Sequence, residues 1–353
     1  MVEIPDVQQA WVVIRRGRPS HALELKSDWP VPKKLEKGEV LVKVQAAALN
    51  PIGWKLMRVL PNFLAKRPHV AEHDFSGVIV DSNGTEFSNG DPIYGWIPSD
   101  LQQKTRQGSI QQYLRVPVDY IVPRPPNVTP IQAAGITLAT TAAHQALVAV
   151  AKVEAEQTVF INGGSTSVGA YGIQIAKAKG AKVVATASGK NEAFVKSMGA
   201  DEFIDYTQEP GLVKRLTEHP PSTKYNIIYD AAGLIDPALY SHSAKYLAPN
   251  GIFISTGPIP HTLSFSEVWK GIRTMFAISM PAWLGNVNRR YALPMVSNNK
   301  EHLIEIQKLF AEGKLKPIVD SVYKFEDTLQ AYDRILTTRA TGKVVVKVDP
   351  TVE

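Results

Sequence analysis

The sequence predicts an α/β fold in two parts, a β-rich part and a doubly wound parallel sheet. Three observations support this prediction. Short strand-like segments separated by glycine and proline turns fill the chain as far as Pro126, and helix-like and strand-like segments alternate beyond residue 129. A strand–turn–helix–strand unit occupies residues 157–191. At 353 residues the chain also exceeds one ordinary core, so we expect two domains.

The β-rich domain is predicted over residues 1–126. Strand-like segments lie at 11–14, 40–44, 77–80 and 93–96, with Asn-Gly turns at 83–84 and 89–90. The proline-rich run at 123–126 indicates a boundary. The tail at 342–348 is again strand-like. We expect this tail to return to the first domain, so that residues 299–353 complete it. The second domain then comprises residues 127–298.

The turn at 163–167 follows an apolar strand and precedes an amphipathic helix. Backbone N–H groups at such a turn bind a dinucleotide's pyrophosphate. Thr166 stands where the usual G-x-G-x-x-G pattern has its middle glycine, so we expect hydroxyl groups to act as additional donors. The predicted diphosphate-binding residues are Gly164, Ser165, Thr166, Ser167 and Val168. The alternative is an ordinary turn feeding a helix in any α/β domain.

The second strand of this unit ends at Ser188-Gly189-Lys190-Asn191. An NAD-preferring site has Asp or Glu here, and this stretch has neither. The Lys190 ammonium, with Ser188 and Asn191, can instead bind a 2′-phosphate. The sequence therefore predicts NADPH over NADH, with a merely solvated Lys190 as the alternative.

Three further strand ends carry polar or small residues. Because ligands of parallel sheets lie beyond the carboxyl ends of the strands, we expect a cofactor near these positions. They are Tyr206, Asp230 and the pair Thr256-Gly257.

Residues 264–298 admit two interpretations. Their large apolar side chains, such as Trp269, Met275 and Phe276, are typical of a buried helix face. They also suit a substrate pocket, and for that role the candidate in this segment is Trp283.

Composition excludes several classes of protein. The net charge of +6 is scattered, which argues against nucleic acid. Cys is absent, so disulfides, thiolate catalysis and Cys-ligated zinc are excluded. The N-terminus has neither the pattern of a signal peptide nor that of a transit peptide, and no apolar run is long enough to span a membrane. We expect a cytoplasmic protein.

Several stretches resemble the medium-chain dehydrogenase/reductase family, in its zinc-independent, quinone-oxidoreductase-like branch. They occur in the family order and cover nearly the whole chain: 38–44, 50–55, 74–79, 90–95, 199–201, 205–206 and 342–345. Residues 163–166 and 188–191 resemble fungal trans-acting enoyl reductases and toxin-cluster oxidoreductases. The resemblance implies a GroES-like β-barrel catalytic domain and a Rossmann domain, with NADPH donating a hydride to an activated C=C.

The resemblance also implies site residues in the first domain. Lys55 in the Asn-Pro-x-x-x-Lys pattern is the catalytic candidate, either as a donor to the substrate carbonyl or as a ligand of the cofactor's ribose or amide. Asn50 is expected on the nicotinamide side and Trp54 in the substrate pocket. Zinc members have Cys where Asn50 stands, so no metal is expected, and His73 is interpreted as a core residue. Relatives commonly have Asp where Gly53 stands.

Three functions remain open on the sequence. The favoured one is NADPH-dependent reduction of an enone, enal or quinone. A second is a trans-acting enoyl reductase that serves a polyketide synthase, and a third is a non-catalytic NADPH-binding protein. The sequence leaves open whether the protein is a monomer or a homodimer.

Overall fold

The computed structural model describes residues 4–257, 265–280, 284 and 287–353. The elements in chain order are β1 Val7–Val13, α1 Pro19–Ala22, β2 Leu23–Pro30, β3 Glu39–Ala48, α2 Pro51–Val59, β4 His69–Val70, β5 Asp74–Asp81, β6 Pro92–Trp96, α3 Ser99–Thr105, β7 Tyr113–Pro117, β8 Ile121–Pro123, α4 Pro130–Ala134, α5 Thr137–His144, β9 Thr158–Asn162, α6 Ser167–Ala178, β10 Lys182–Ala187, α7 Glu192–Ser197, β11 Glu202–Asp205, α8 Leu212–Glu218, β12 Tyr225–Asp230, α9 Ala238–Ser241, β13 Leu247–Ser255, α10 Phe265–Ser279, β14 Arg290–Ala292, α11 Lys300–Ala311, β15 Val319–Lys324, α12 Thr328–Leu336 and β16 Lys343–Lys347. The chain divides into a first unit, residues 1–138 with 297–353, and a second unit, residues 139–296.

The second unit contains a six-stranded parallel sheet in the order β11-β10-β9-β12-β13-β14. Numbered from β9, this order is 3-2-1-4-5-6, that of the Rossmann fold. Its strands are continuous apolar runs, as expected for a sheet covered by helices on both faces. The order reverses between β9 and β12, so the crevice for a ligand opens at the carboxyl ends of these two strands.

The first unit is a GroES-like β-structure. Its larger sheet has the order β15-β16-β3-β5-β6-β8, with β7 also paired to β3, and a smaller sheet has the order β2-β1-β4. The tail strand β16 pairs with β3, which places the C-terminal segment where the sequence predicts it. The apolar faces of these strands surround a core that includes Trp11, Phe75 and Tyr332.

The segment that joins the two units begins with α4. Thr129 caps this helix in a reciprocal capping box with Gln132. Ile131 and Ala134 on α4 pack against Ala48 of β3 and Val345 of β16. Residues 127–138 therefore lie with the first unit, beyond the boundary drawn from the sequence at residue 126.

The exposure of side chains on helix α10 disagrees with the interpretation of residues 264–298 as a buried helix face. Trp269, Met275 and Phe276 are 55%, 47% and 67% exposed. Among the side chains of α10 that the structure describes, Thr274 is the buried one, and its hydroxyl donates to the Ile235 carbonyl. Ile278 packs against the core of the second unit, whereas Trp269, Met275 and Phe276 do not belong to a buried face.

Strand β9 supplies a test of the second unit's core. Phe160 is fully buried, and its ring lies 4.9 Å from that of Tyr225. Because truncation removes a large buried ring and leaves a cavity, we expect Phe160→Ala to lower the free energy of unfolding by about 3–5 kcal/mol. Urea unfolding monitored by circular dichroism measures this change.

The matched control is Phe276→Ala on α10, where the ring is 67% exposed. That variant should change the free energy of unfolding by less than about 1 kcal/mol. Equal losses in the two variants would contradict the assignment of the core.

Candidate functional site

The turn between β9 and α6 presents free donors at the carboxyl edge of the sheet. Thr166 N-caps α6, since its Oγ1 accepts from the Gly169 N–H at 3.0 Å. The backbone N–H groups of Ser165, Ser167 and Val168 have no acceptor among the residues that the structure describes. Unpaired N–H groups at a helix N-terminus form an anion site.

Gly169 lets α6 approach this turn closely. A Cβ at this position would lie 2.2 Å from the Gly163 carbonyl oxygen, so any side chain would push the helix away from the strand. This is the role of the last glycine of a dinucleotide-binding turn, where helix and strand pack tightly.

The structure corrects the expected role of the Thr166 hydroxyl. Its hydrogen is donated to the Gly163 carbonyl at 2.8 Å, while its oxygen accepts from Gly169. Thr166 therefore organises the turn and is not available as a donor. The Ser165 and Ser167 side chains are half-buried and remain candidates.

A polar row that the sequence analysis missed lies at the strand ends beneath this turn. The Asn162 amide donates to Asp230 at 2.9 Å and accepts from the Thr186 hydroxyl at 2.8 Å. Ser255 donates to the other Asp230 oxygen at 3.0 Å. Burial raises the pKa of Asp230, against these hydrogen bonds. The sequence does show a polar residue at the end of each of these strands. Only the register between the strands brings these residues next to one another, and the sequence does not give that register.

The patch at 188–191 follows β10 as predicted and contains an exposed lysine. Lys190 makes no ion pair with any described residue, and the Asn191 amide donates to the Ser188 hydroxyl at 3.3 Å. The stretch itself has no carboxylate, but one from another strand lies beside it. Asp205 at the end of β11 pairs with Ala187, and its Oδ2 would lie 2.6 Å from a Cβ on Gly189.

Asp205 is held by donors of its own strand end. The Thr207 hydroxyl and backbone N–H donate to one of its oxygens and the Gln208 amide to the other. These bonds, the Thr207 hydroxyl first, lower the pKa of Asp205 and keep it anionic. Tyr206 follows it and is 50% exposed, so its ring is free to cover a ligand at this edge.

The last cofactor candidates of the second unit lie at the end of β13. The Thr256 N–H donates to the Asp230 carbonyl at 3.1 Å, and the Gly257 N–H to the Ser255 hydroxyl at 3.2 Å. The ends of β9, β10, β11, β12 and β13 thus bring the predicted residues of this unit to one edge of the sheet.

In the first unit, α2 carries the catalytic candidate. Lys55 is half-buried, with its Nζ 5.8 Å from the centre of the Trp54 ring. Arg58 lies at 5.7 Å from the same ring. Trp54 itself is 3% exposed and belongs to the core of the unit. Trp283, the other pocket candidate, lies outside the described residues.

Asn50 lies in a buried polar network at the N-terminus of α2. Its amide nitrogen donates to Asp74 at 3.1 Å and to the Ala48 carbonyl at 3.3 Å. The Lys343 ammonium donates at 2.5 Å to the amide oxygen and at 3.1 Å to Asp74. Both ends of the Asn50 amide are therefore engaged by the chain itself, and Lys343 is a site residue that the sequence analysis missed.

Glu72 completes this network. The Asn50 N–H donates to its Oε2 at 3.0 Å and the Tyr332 hydroxyl to its Oε1 at 2.7 Å. Burial raises the pKa of Glu72 to about 7, against the lowering effect of these hydrogen bonds. Glu72 and His73 also line a recess that is open to solvent. Its volume, including the solvent-filled mouth, is about 410 Å³.

The donors at the position of the family's zinc do not fit a metal ion. His73 Nδ1 donates to the Ile97 carbonyl at 2.7 Å, and burial lowers the pKa of its ring. Asn50 and Asp74 face the Lys343 ammonium, whose charge opposes that of a cation. In the described part of the chain no three His, Asp or Glu side chains are grouped as metal ligands.

The turn at 163–169, by contrast, fits a dinucleotide. It supplies free N–H groups, close helix–strand packing and a position at the sheet's switch point. Its residues would hold the diphosphate and those at 188–191 the adenosine ribose.

Comparison with known proteins agrees with this architecture. Residues 36–126 match the alcohol dehydrogenase GroES-like domain, and residues 198–346 match the family described as zinc-binding dehydrogenase. The chain is 30% identical to the medium chain reductase pydE of Acremonium sp. over 96% of this chain and 98% of that protein. It is 29% identical to the trans-enoyl reductase pgmF of Aspergillus terreus, over 99% of each. The structure of a quinone oxidoreductase from Coxiella burnetii superposes with a TM-score of 0.76 at 26% identity, covering 97% of this chain and 100% of that one.

Fold and nucleotide-binding turn together define an oxidoreductase that uses a nicotinamide cofactor. The chain belongs to the medium-chain dehydrogenase/reductase family. None of the helices in its described residues is long and apolar enough to cross a membrane.

The patch at 188–191 gives a prediction on cofactor choice. We expect Lys190→Ala to weaken NADPH binding about 10–100-fold, because one charge-assisted contact to a phosphate is lost, and to change NADH binding less than about twofold. Quenching of protein fluorescence measures both dissociation constants.

Lys179→Ala is the control, since this exposed lysine lies at the opposite end of α6. Asp205→Asn should strengthen NADPH binding, because it removes a negative charge next to Gly189. If the ratio of the NADPH and NADH dissociation constants is unchanged in Lys190→Ala, Lys190 does not bind the 2′-phosphate.

The buried Glu72 gives a prediction on pH. In the folded protein the Glu72 carboxyl group keeps its proton up to about pH 7, because its pKa is raised from the ordinary value of 4.5 for a glutamate. Between these values the folded state binds more protons, so the contribution of Glu72 to stability falls as the pH rises. Relative to Glu72→Gln, the wild type should lose about 3 kcal/mol of unfolding free energy between pH 4.5 and 8.

Comparing the two proteins is necessary because His69 has the opposite effect. Burial lowers the pKa of His69 to about 4, so the contribution of this residue to the free energy of unfolding is lost as the pH falls below 6.5. Glu326→Gln, at an exposed position, is the control and should follow the wild type. Parallel stability curves for wild type and Glu72→Gln would contradict the prediction.

Proposed function

We propose that the protein reduces the activated C=C of an α,β-unsaturated carbonyl compound, an enone, enal or quinone, with NADPH and without a metal. The observation that carries the proposal is the turn at 163–169 with its free N–H groups, followed one strand later by the cationic patch at 188–191. Names of the relatives support the reaction class, since one is a trans-enoyl reductase and a structural neighbour is a quinone oxidoreductase.

Bound NADPH would supply a hydride to the substrate's Cβ, and the enolate left by this addition would take up a proton at Cα. In the second unit Ser165, Ser167 and Val168 bind the diphosphate through their N–H groups, and Lys190 with Ser188 and Asn191 binds the 2′-phosphate. Tyr206 covers the adenosine end, and Thr256 with Gly257 limits the crevice at β13. The N–H groups of Ser165, Ser167 and Val168 and the half-exposed ring of Tyr206 are available for these contacts among the described residues.

Lys55 is proposed to donate a hydrogen bond to the substrate's carbonyl oxygen, on which negative charge develops. One well-placed donor of this kind contributes about 3 kcal/mol to the barrier reduction. The Trp54 ring beneath it fixes the direction of its side chain. Asn50 acts indirectly, because its amide is committed to Lys343 and Asp74.

No metal is needed for this polarisation in the proposal. Lys343 is buried and paired with Asp74, and the proposal assigns the polarisation of the carbonyl to Lys55. Stoichiometric zinc in active protein, measured by elemental analysis, would contradict the proposal.

A panel of enones, enals and quinones, monitored by NADPH absorbance, tests the proposed activity. We expect turnover of free substrates by the wild type. Lys55→Ala should lower kcat about 100-fold and leave the KM for NADPH within about threefold, because a transition-state contact is removed.

Arg58→Ala is the matched control, since it removes the other cation next to Trp54. It should retain kcat within about threefold. A raised KM for NADPH with kcat intact in Lys55→Ala would assign this lysine to cofactor binding instead.

A second candidate is a trans-acting enoyl reductase that serves a polyketide synthase. The similarity to pgmF over 99% of both chains favours it. In that case free enones are not reduced, whereas an enoyl thioester on the synthase's carrier domain is. Bound NADPH without consumption of either substrate would contradict both candidates.

A further inference from the structure

The carboxyl group of Glu72 fills the space that a side chain at position 53 would need. A Cβ built on Gly53 would lie 2.3 Å from Glu72 Oε1 and 2.7 Å from its Cδ. Glu72 is only 2% exposed, and its two carboxyl oxygens accept from Asn50 and Tyr332, so moving the carboxyl group aside would break these hydrogen bonds. With glutamate held in this position, residue 53 has to be glycine.

We propose that Glu72 is a positioning residue which, together with the glycine at 53, holds the first turn of α2 and so orients Lys55. The proposal rests on the proposed function, in which Lys55 is the donor to the substrate. It goes beyond that function, which assigns Glu72 no contact with substrate or cofactor, because it gives this residue a role that is exerted through α2.

The start of α2 explains why this position needs an outside acceptor. Asn50 is the N-cap residue, but its side chain makes no capping bond, since its amide is used by Asp74 and Lys343. The Asn50 N–H is accepted by Glu72 at 3.0 Å instead.

The opposite oxygen of Glu72 connects this turn to the C-terminal part of the unit. Tyr332 on α12 is fully buried and donates to it at 2.7 Å. The carboxyl group thus has one donor from α2's N-cap and one from α12, and it cannot swing away without leaving both unpaired. Leaving a buried polar group unpaired is destabilising.

An exchange of the two residues tests the proposal. The set comprises Gly53→Asp, Glu72→Gly and the double variant Gly53→Asp/Glu72→Gly, which returns one carboxyl group to the same space. Two readouts are used: amide hydrogen exchange of residues 49–57 by mass spectrometry, and steady-state reduction of a substrate identified in the panel.

We expect each single variant to speed exchange of this segment at least about tenfold and to lower kcat at least about tenfold, with the KM for NADPH within about twofold. The double variant should recover both to within about threefold of the wild type. If Gly53→Asp does not fold, a folded double variant is itself the expected rescue. If Glu72→Gly does not fold, Glu72→Gln takes its place among the single variants.

Asp320→Asn is the structural control. Asp320 is paired with Arg334 at 2.6 Å in the same unit, and neither residue contacts α2 through any described hydrogen bond or ion pair. This variant should lower the melting temperature and leave exchange of residues 49–57 and kcat unchanged.

Three results would overturn the proposal: a double variant no better than the worse single variant, single variants with wild-type exchange at 49–57, or faster exchange with kcat unchanged. Failure of the proposed function looks different. A wild type that reduces no substrate while the exchange readout still shows reciprocal rescue would reject the reductase and retain the coupling of Glu72 with the first turn of α2.

Discussion

The first unit depends on a buried ion pair between Lys343 on the C-terminal strand and Asp74 on β5, with side chains 3% and 0% exposed. Removing one member of such a pair leaves an uncompensated charge and costs about 3–5 kcal/mol. Both partners also bind the Asn50 amide, so they locate the residue at which α2 begins. The helix that carries the catalytic candidate is therefore placed by residues far along the chain.

The second unit shows the same principle at the carboxyl edge of its sheet. Parallel register brings Asn162, Asp230 and Ser255 level with one another, and they satisfy each other's hydrogen bonds. A buried polar group without a partner is costly, so this row holds the strand ends at fixed heights. The turn at 163–169, with its free N–H groups, follows directly from this hydrogen-bonded row of strand ends.

Charge at the proposed cofactor and substrate sites is set by neighbours that are distant in sequence. Asp205 brings a carboxylate next to the patch at 188–191, so preference for a 2′-phosphate depends on the balance between this charge and Lys190. Glu72 similarly brings a carboxyl group next to Gly53, within 2.8 Å of a Cβ built there. In both cases the carboxyl group comes from a residue that is distant in sequence.

Local patterns in the sequence determined the strands, the parallel sheet, the strand–turn–helix unit at 157–191 and the strand character of the tail, because periodicity and turn residues act over short distances. Tertiary structure alone decided that Thr166 is a cap, that Trp269 and Phe276 are exposed, that Asp205 lies beside Gly189, and that Lys343 and Glu72 surround Asn50. These contacts join residues from different strands and helices. Their energies depend on burial and register, which no local pattern contains.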